Sequence, residues 1–386
     1  MASEALPRVS EVAGQTQAAL YATLDLELSW SEDELPQFER TKHVHGLHPY
    51  LGKFIPQLVE VFLRRYFKQG QCVYDPFAGS GTTLVEANVF GTDAIGCDIS
   101  AFNCLLSDVK TDHYSLGRLE LALRGALEAA RREGRASADA ASPWLKRWYS
   151  SRALGELLRY REVVIAAGEP AASVGCVILS RAARSARMTT HFDLDFPRKP
   201  TKSSYYCHKH KKTCSPVREA AKFLTRYTND TVRRLREFGA LRTPRETLVL
   251  HGDARTLELP RLADGVITSP PYPGLIDYHE QHRYAYELLG IEDRAADEIG
   301  PAARGRTRPA QESYVESMMQ VFLNTRRFLR QGARVIVVVN DSHDLYPRIL
   351  QGAGLDIDQR LQRHVNRRTG RRAGEFFEQV LVCRVA

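Results

Sequence analysis

Five short, largely apolar runs constrain this chain more than any other feature: residues 71–74 (QCVY), 93–97 (DAIGC), 247–251 (TLVLH), 265–268 (GVIT) and 335–339 (VIVVV). The segments between them are long enough to carry the chain back through a helix. Buried runs alternating with helical returns predict parallel strands with helical crossovers, a doubly wound α/β sheet. A further run at 380–383 (VLVC) reads as a last strand paired with one near 358–365 across a basic loop. Residues 55–67 (IPQLVEVFLRRYF) have helical spacing behind Pro56, a residue suited to a first helical turn. The alternation is interrupted once. Residues 111–245 are too long for a loop and show helical spacing at 116–132, 153–167 and 217–236, so a large, mainly helical insert is expected there. The chain then divides into an extension at 1–45 with a weak helical pattern at 17–28, a first sheet portion at 46–110, the insert at 111–245 and a second sheet portion at 246–386.

The stretch Asp75-Pro76-Phe77-Ala78-Gly79-Ser80-Gly81-Thr82-Thr83 directly follows the first strand and opens the helix expected at 82–90. Two glycines one residue apart permit a tight turn and a close ligand approach, and the helix N-terminus offers unpaired N–H groups. Asp98 ends the next strand, where a doubly wound nucleotide fold sets an acid against ribose hydroxyls. A phosphate-gripping loop would carry Lys where Thr82 stands, and a dinucleotide fingerprint would carry a third glycine at Leu84 or Val85. A nucleoside without pyrophosphate fits better, and S-adenosylmethionine is such a ligand.

Ser269-Pro270-Pro271-Tyr272 follows the run at 265–268. Consecutive prolines cannot continue a ladder, so the chain leaves the sheet stiffly with its carbonyls turned to whatever crevice lies there. A planar amine at that point can donate to the Ser269 hydroxyl oxygen and the Pro270 carbonyl while the Tyr272 ring stacks on a flat heterocycle. Asp277, Tyr278 and His279 follow closely and are candidates for shaping the same pocket.

The charge balance, 54 Lys+Arg against 46 Asp+Glu for a net +8, favours a polyanionic partner, nucleic acid ahead of an anionic membrane surface. The excess gathers in three places. Arg181, Arg184 and Arg187 recur every third residue, a stripe on a helix that leads to His191; Arg304, Arg306 and Arg308 follow the run at 265–268; Arg367, Arg368, Arg371 and Arg372 crowd the loop before the last strand, with Arg363 just ahead of it. Within the insert, YYCHKHKKTC at 205–214 holds two cysteines and two histidines, but the C-x₂-C and H-x₃-H spacings of a zinc finger are absent. The expectation is therefore no metal, and a basic, aromatic-flanked loop in which Lys209, Lys211 and Lys212 contact phosphates. No apolar run approaches a membrane span, the N-terminus lacks an export signal, and seven scattered cysteines suit a reducing compartment.

DPFAGSGTT followed by TSPPY resembles the S-adenosylmethionine-dependent amino-methyltransferases of DNA, which modify exocyclic amines of cytosine (N4) or adenine (N6), and the likeness extends over about two thirds of the chain. GLHPYLGKFIPQL at 46–58 is similar to the segment those enzymes fold over the methionine end of the cofactor. The resemblance implies a Rossmann-like class I methyltransferase sheet. It implies cofactor contacts from Tyr50, Lys53 and Phe54, from Asp75, Phe77, Ala78, Gly79, Gly81 and Thr82, and from Asp98, Ile99 and Asp253. It makes Ser269, Pro270, Pro271 and Tyr272 the catalytic tetrapeptide, in which a leading Ser is more typical of cytosine-N4 enzymes and Asp or Asn of adenine-N6 enzymes. The implied reaction is transfer of a methyl group to cytosine N4 in double-stranded DNA after base flipping; adenine N6 is the alternative, and an amine in RNA a remoter one that usually requires an RNA-binding module. Methylation at cytosine carbon 5 would need a nucleophilic Cys, typically after Pro, and no cysteine here follows a proline. The insert takes the place of a target-recognition domain, although in the permuted class with this motif order it usually lies nearer the catalytic strand. A cognate restriction endonuclease as partner and a cytoplasmic, nucleoid-associated location complete the expectation.

Overall fold

The computed structural model describes residues 28–30, 33–50, 52, 55–191, 193–194, 197–274, 276–301, 303, 305, 307–365 and 376–385. Apart from Leu28, the helical pattern expected at 17–28 lies outside them. Pro56 opens helix α1 (Pro56–Tyr66) at its first turn; β1 (Cys72–Asp75), α2 (Thr82–Phe90), β2 (Asp93–Asp98) and α3 (Ala101–Thr111) follow. After the insert come β5 (Thr247–His251), β6 (Ala263–Thr268), α9 (Arg283–Leu289), α10 (Arg308–Arg327), β7 (Leu329–Val339), α11 (Tyr346–Gly352), β8 (Leu355–His364) and β9 (Phe377–Val385). Seven strands form one sheet in the order β5-β2-β1-β6-β7-β9-β8. All pairings are parallel except those of β9, which runs antiparallel to both β7 and β8.

Alternate strand residues face opposite sides, and both sides are covered. Tyr74, Ile95, Val266, Val335, Val337 and Val339 pack with Met318, Val321 and Phe322 of α10 and Ile349 and Leu350 of α11. Val73, Ala94, Ile267, Ile336 and Val338 pack with Leu58, Phe62 and Leu63 of α1 and Leu84 and Ala87 of α2. Each of the large side chains gains roughly 1.5–3 kcal/mol from full burial, which is why the runs had to be apolar throughout rather than alternating. At β1 the chain turns one way to β2 and, later, the other way to β6. This is a topological switch point, so the loops leaving β1 and β6 open onto one crevice.

The insert contains α4 (Leu116–Glu133), α5 (Pro143–Trp148), α6 (Ser151–Ala166), α7 (Ala171–Ala186), a hairpin of β3 (Tyr205–Cys207) and β4 (Lys212–Cys214), and α8 (Ala221–Gly239). Ser142 and Ser150 cap α5 and α6 by accepting from Leu145 and Ala153 N–H at 3.3 and 3.1 Å. Helix α7 is the core of the unit, with Val174, Val177, Ile178, Leu179, Ala182 and Ala183 buried. The insert does not stand apart from the sheet: its apolar cluster is continuous with Phe102, Leu106 and Val109 of α3 and with Tyr284, Ala285 and Leu288 of α9.

Candidate functional site

The turn after β1 is held by its own backbone and by Asp98. Gly79 and Gly81 adopt φ of +51° and +74°, the left-handed region that favours glycine, and Gly81 is the N-cap of α2. Gly79 N–H donates to Asp98 Oδ2 at 2.8 Å, while Asp98 Oδ1 accepts from Ser100 N–H at 2.8 Å and Asn103 Nδ2 at 3.1 Å. Burial pushes the Asp98 carboxyl above its ordinary value, and these donors oppose the rise. Beneath the turn, the buried Lys110 ammonium donates to the Ser80 carbonyl. Tyr50 closes the opposite wall, its hydroxyl accepting from Asn103 Nδ2 at 3.1 Å and its ring stacked 6.0 Å from that of Tyr278.

The second loop is stiffened from both ends. Thr268 Oγ1 donates to Asp75 Oδ1 at 2.7 Å, tying the end of β6 to the end of β1. The Pro271 carbonyl accepts from the Tyr314 hydroxyl at 2.9 Å, itself 2.8 Å from the Tyr346 hydroxyl. The Tyr272 hydroxyl donates to Glu378 Oε1 on β9 at 2.9 Å.

The two loops share a cleft, open to solvent and walled by Tyr50, Gly79, Asp98, Asp253, Ser269 and Tyr278 among others. Phe77, Ala78, Thr82, Ile99 and Pro271 also face it. The donor set fits S-adenosylmethionine. Asp98 Oδ2 has one protein donor and keeps a lone pair, and Ser80 Oγ, Thr82 Oγ1 and Asn103 Oδ1 are buried cleft atoms without a hydrogen-bond partner among the described residues. A Cβ at Gly79 would lie 3.1 Å from the Tyr50 hydroxyl and narrow the passage between them. Asp253 reaches the cleft from the turn after β5; burial would raise its carboxyl, but hydrogen bonds from Arg255 hold it below the ordinary value.

Several expected positions fall elsewhere. Asp75 is 1% exposed and is not among the residues that wall the cleft: its Oδ1 accepts from Thr268 Oγ1 and Phe77 N–H and so latches the two loops together, while its Oδ2 has no hydrogen-bond partner among the described residues. Arg187 is likewise corrected. It lies just past the end of α7, 5% exposed, with its guanidinium over the Tyr284 ring at 4.8 Å and donating to the Leu194 carbonyl at 2.7 Å, so it bolts the insert to α9 and is closed to phosphate. Arg181 is paired with Asp230 at 2.6 Å, which breaks the arginine stripe, and Arg184 is half-buried. Arg363 is buried beside Glu378. Arg308 is exposed at the start of α10, and Lys209, Lys211 and Lys212 are exposed on the β3–β4 hairpin. Lys53, Phe54, Arg304, Arg306, Arg367, Arg368, Arg371 and Arg372 lie outside the described residues. Where the sequence spacing suggested no metal, the structure brings the ligand atoms of His191, Cys207, His210 and Cys214 within 4.8 Å of one another.

Residues without a motif of their own also form the cleft. Asn103 bridges Asp98 and Tyr50, one turn into α3, and Glu298 reaches the wall beside Tyr278, where it contacts His279 Nδ1 and accepts from His279 N–H at 2.8 Å. A polar residue one turn after the Asp98 strand was the only available signal for Asn103; Glu298 had none, because its loop is placed by tertiary packing.

Sheet order and cleft together define the class: an S-adenosylmethionine-dependent methyltransferase with a Rossmann-like fold. A family described as DNA methylase, of the N6/N4 methyltransferase type, matches residues 21–107. The type II methyltransferase M.MjaII of Methanocaldococcus jannaschii is 36% identical over a 442-residue alignment that covers 92% of this chain and 83% of that protein. M.MvaI of Kocuria varians, also a type II methyltransferase, is 35% identical over 82 residues, 20% of this chain and 18% of that protein. Among solved structures, TrmN from Thermus thermophilus aligns over 87% of this chain and 50% of its own at 13% identity and a TM-score of 0.34, too remote to bear on function. The chain belongs to the N4/N6 amino-methyltransferase family of DNA methylases, and S-adenosylmethionine is its cofactor.

Proposed function

We propose that the chain methylates the exocyclic N4 amine of cytosine at a specific site in double-stranded DNA, acting on a base extruded from the duplex. The observation that carries this reading is Ser269 at the head of the tetrapeptide, on the wall of the same cleft as Gly79 and Asp98. An aromatic amine is a weak nucleophile because its lone pair is delocalised into the ring. In this reading the Ser269 hydroxyl oxygen and the Pro270 carbonyl accept the two amine hydrogens and restore lone-pair density at nitrogen. Tyr272 stacks on the extruded base, with its ring direction set by Glu378. Asp98 takes the ribose hydroxyls, and Tyr50 with Asn103 encloses the other end of the ligand. When bound, S-adenosylmethionine supplies a methyl group activated on a sulfonium.

The insert is the proposed recognition unit, supported by the exposed lysines of its hairpin. The type II designation of M.MjaII supports a companion endonuclease of the same specificity, and a DNA substrate supports a nucleoid-associated, cytoplasmic location. No helix among the described residues is long and apolar enough to cross a membrane. The test is digestion of DNA methylated by the purified chain, followed by nucleoside mass analysis. N4-methylcytosine is expected; N6-methyladenine alone would replace the target base while leaving the family intact.

A further inference from the structure

The β3–β4 hairpin lacks what normally stabilises such a unit. Its strands have three residues each, and an isolated two-stranded hairpin is marginal in water. Tyr206, Lys212 and Thr213 are exposed, and the hairpin's buried strand residues are the two cysteines, 3% and 9% exposed. Neither cysteine belongs to any of the three apolar clusters of the described residues, and both are free thiols. Something other than a hydrophobic core or a disulfide must hold them inward.

The geometry around them is that of a tetrahedral cage. Cys207 Sγ lies 3.6 Å from His191 Nδ1 and 3.7 Å from His210 Nδ1, and Cys214 Sγ lies 3.5 Å from His210 Nδ1. A zinc ion with Zn–S near 2.3 Å and Zn–N near 2.05 Å at tetrahedral angles requires S···N edges of about 3.6 Å. The His191 and His210 rings meet edge to face at 4.5 Å. His191 comes from 16 residues before Cys207, in the loop after α7, and the Tyr205 hydroxyl, 3.0 Å from both its backbone N and Nδ1, brings that loop to the hairpin. This is why the motif escapes a local pattern: one ligand is remote, and His208 points away, its ring edge-on to Tyr206 at 5.2 Å.

We propose that His191, Cys207, His210 and Cys214 bind one structural zinc ion that fixes the hairpin onto the insert. Two thiolates and two neutral imidazoles form a closed set with no open position, which suits a structural rather than a catalytic ion, and the soft sulfur pair selects zinc over calcium or magnesium. The second convergence of donors among the described residues, His43, His45 and Glu86, is unlike it: there Glu86 already holds the Lys42 ammonium at 3.3 Å.

The test uses the full chain purified without chelators. Elemental analysis is expected to give close to one zinc per chain, lost in Cys214→Ser and His210→Ala and retained in His208→Ala. Replacement of the metal in the unmutated chain by cobalt should give the intense visible bands of tetrahedral sulfur coordination, a readout that does not depend on how the variants fold. A metal-free chain carrying a Cys207–Cys214 disulfide in its peptide map would overturn the proposal, as would zinc lost equally from His208→Ala or an octahedral cobalt spectrum.

Discussion

The Tyr272 hydroxyl donates to Glu378 Oε1 at 2.9 Å, and Arg363 of β8 stands 3.7 Å behind the other carboxylate oxygen. The antiparallel edge hairpin thus reaches across β7 to orient the last residue of the catalytic motif. Glu378→Ala would strand a buried guanidinium, a change expected to cost about 3–5 kcal/mol of stability. Glu378→Gln keeps an acceptor for the tyrosine and should lose less. Thermal unfolding of the two variants beside the parent separates the outcomes.

Ring and hydroxyl of Tyr272 are separable. Base–aromatic stacking is worth about 1–3 kcal/mol by alanine substitution, so Tyr272→Ala should lower single-turnover methyl transfer by roughly 5- to 150-fold while cofactor affinity stays near that of the parent. Tyr272→Phe keeps the ring and should retain most of the rate. Equal losses in both variants would mean that the anchor to Glu378, and not stacking, is what the reaction requires.

Cofactor affinity should depend on the Gly79–Asp98 contact. Removing a hydrogen bond to a charged group costs about 1.5–3 kcal/mol, so Asp98→Ala should weaken S-adenosylmethionine binding by roughly 10- to 150-fold in calorimetry. Gly79→Ala adds a Cβ at φ +51°, 3.1 Å from the Tyr50 hydroxyl, and should also weaken binding, with about 1–2 kcal/mol of backbone strain in addition. Unchanged affinity in both variants would remove this loop from the cofactor site.

Most of the sheet was legible because its strands are buried on both faces and their apolar runs have no other use. Helix α2 and strand β5 have the ends that the sequence predicts, whereas β7 begins at Leu329, before the apolar run, because Leu329 pairs with Ala263 of β6 ahead of an irregularity that shifts the register before Arg334 pairs with Gly265. The two motifs were legible because glycine pairs and proline pairs restrict the backbone locally. What the sequence does not show is partners set by tertiary structure. Asp75 has the position of a ligand residue but finds Thr268 on another strand, Arg187 has the spacing of an exposed stripe but meets Tyr284, and the cysteines of the hairpin find His191 from another loop. Periodicity carries no information about such long-range pairs.

Asp75 gives a pH signature. Burial pushes its carboxyl from 3.8 up to about 6, with hydrogen bonds from Thr268, Thr83 and Phe77 opposing the rise. A folded-state value above the unfolded one means that the folded chain holds the proton more tightly, so the contribution is full below the unfolded value and is lost as pH rises through about 6. Asp75→Asn retains an acceptor for Thr268 and does not ionise. Its melting temperature relative to the parent should therefore climb between about pH 4 and 7 and level off above; a difference that stays constant with pH would show that Asp75 ionises normally.

Residues that grip phosphate and residues that bolt the insert together should respond oppositely to salt. Lys209, Lys211 and Lys212 are exposed on one hairpin, so their joint replacement by Ala should weaken binding to duplexes of any sequence. It should also flatten the dependence of log affinity on log salt by about 0.9 for each phosphate no longer neutralised, with little change in melting temperature. Arg187, covered by Tyr284 and bonded to the Leu194 carbonyl, predicts the reverse: Arg187→Ala should lower the melting temperature and leave the salt slope unchanged. Titrations at several salt concentrations, with unfolding curves on the same preparations, distinguish the two. An altered slope for Arg187→Ala, or an unaltered one for the triple lysine variant, would move the duplex to a different face of the insert.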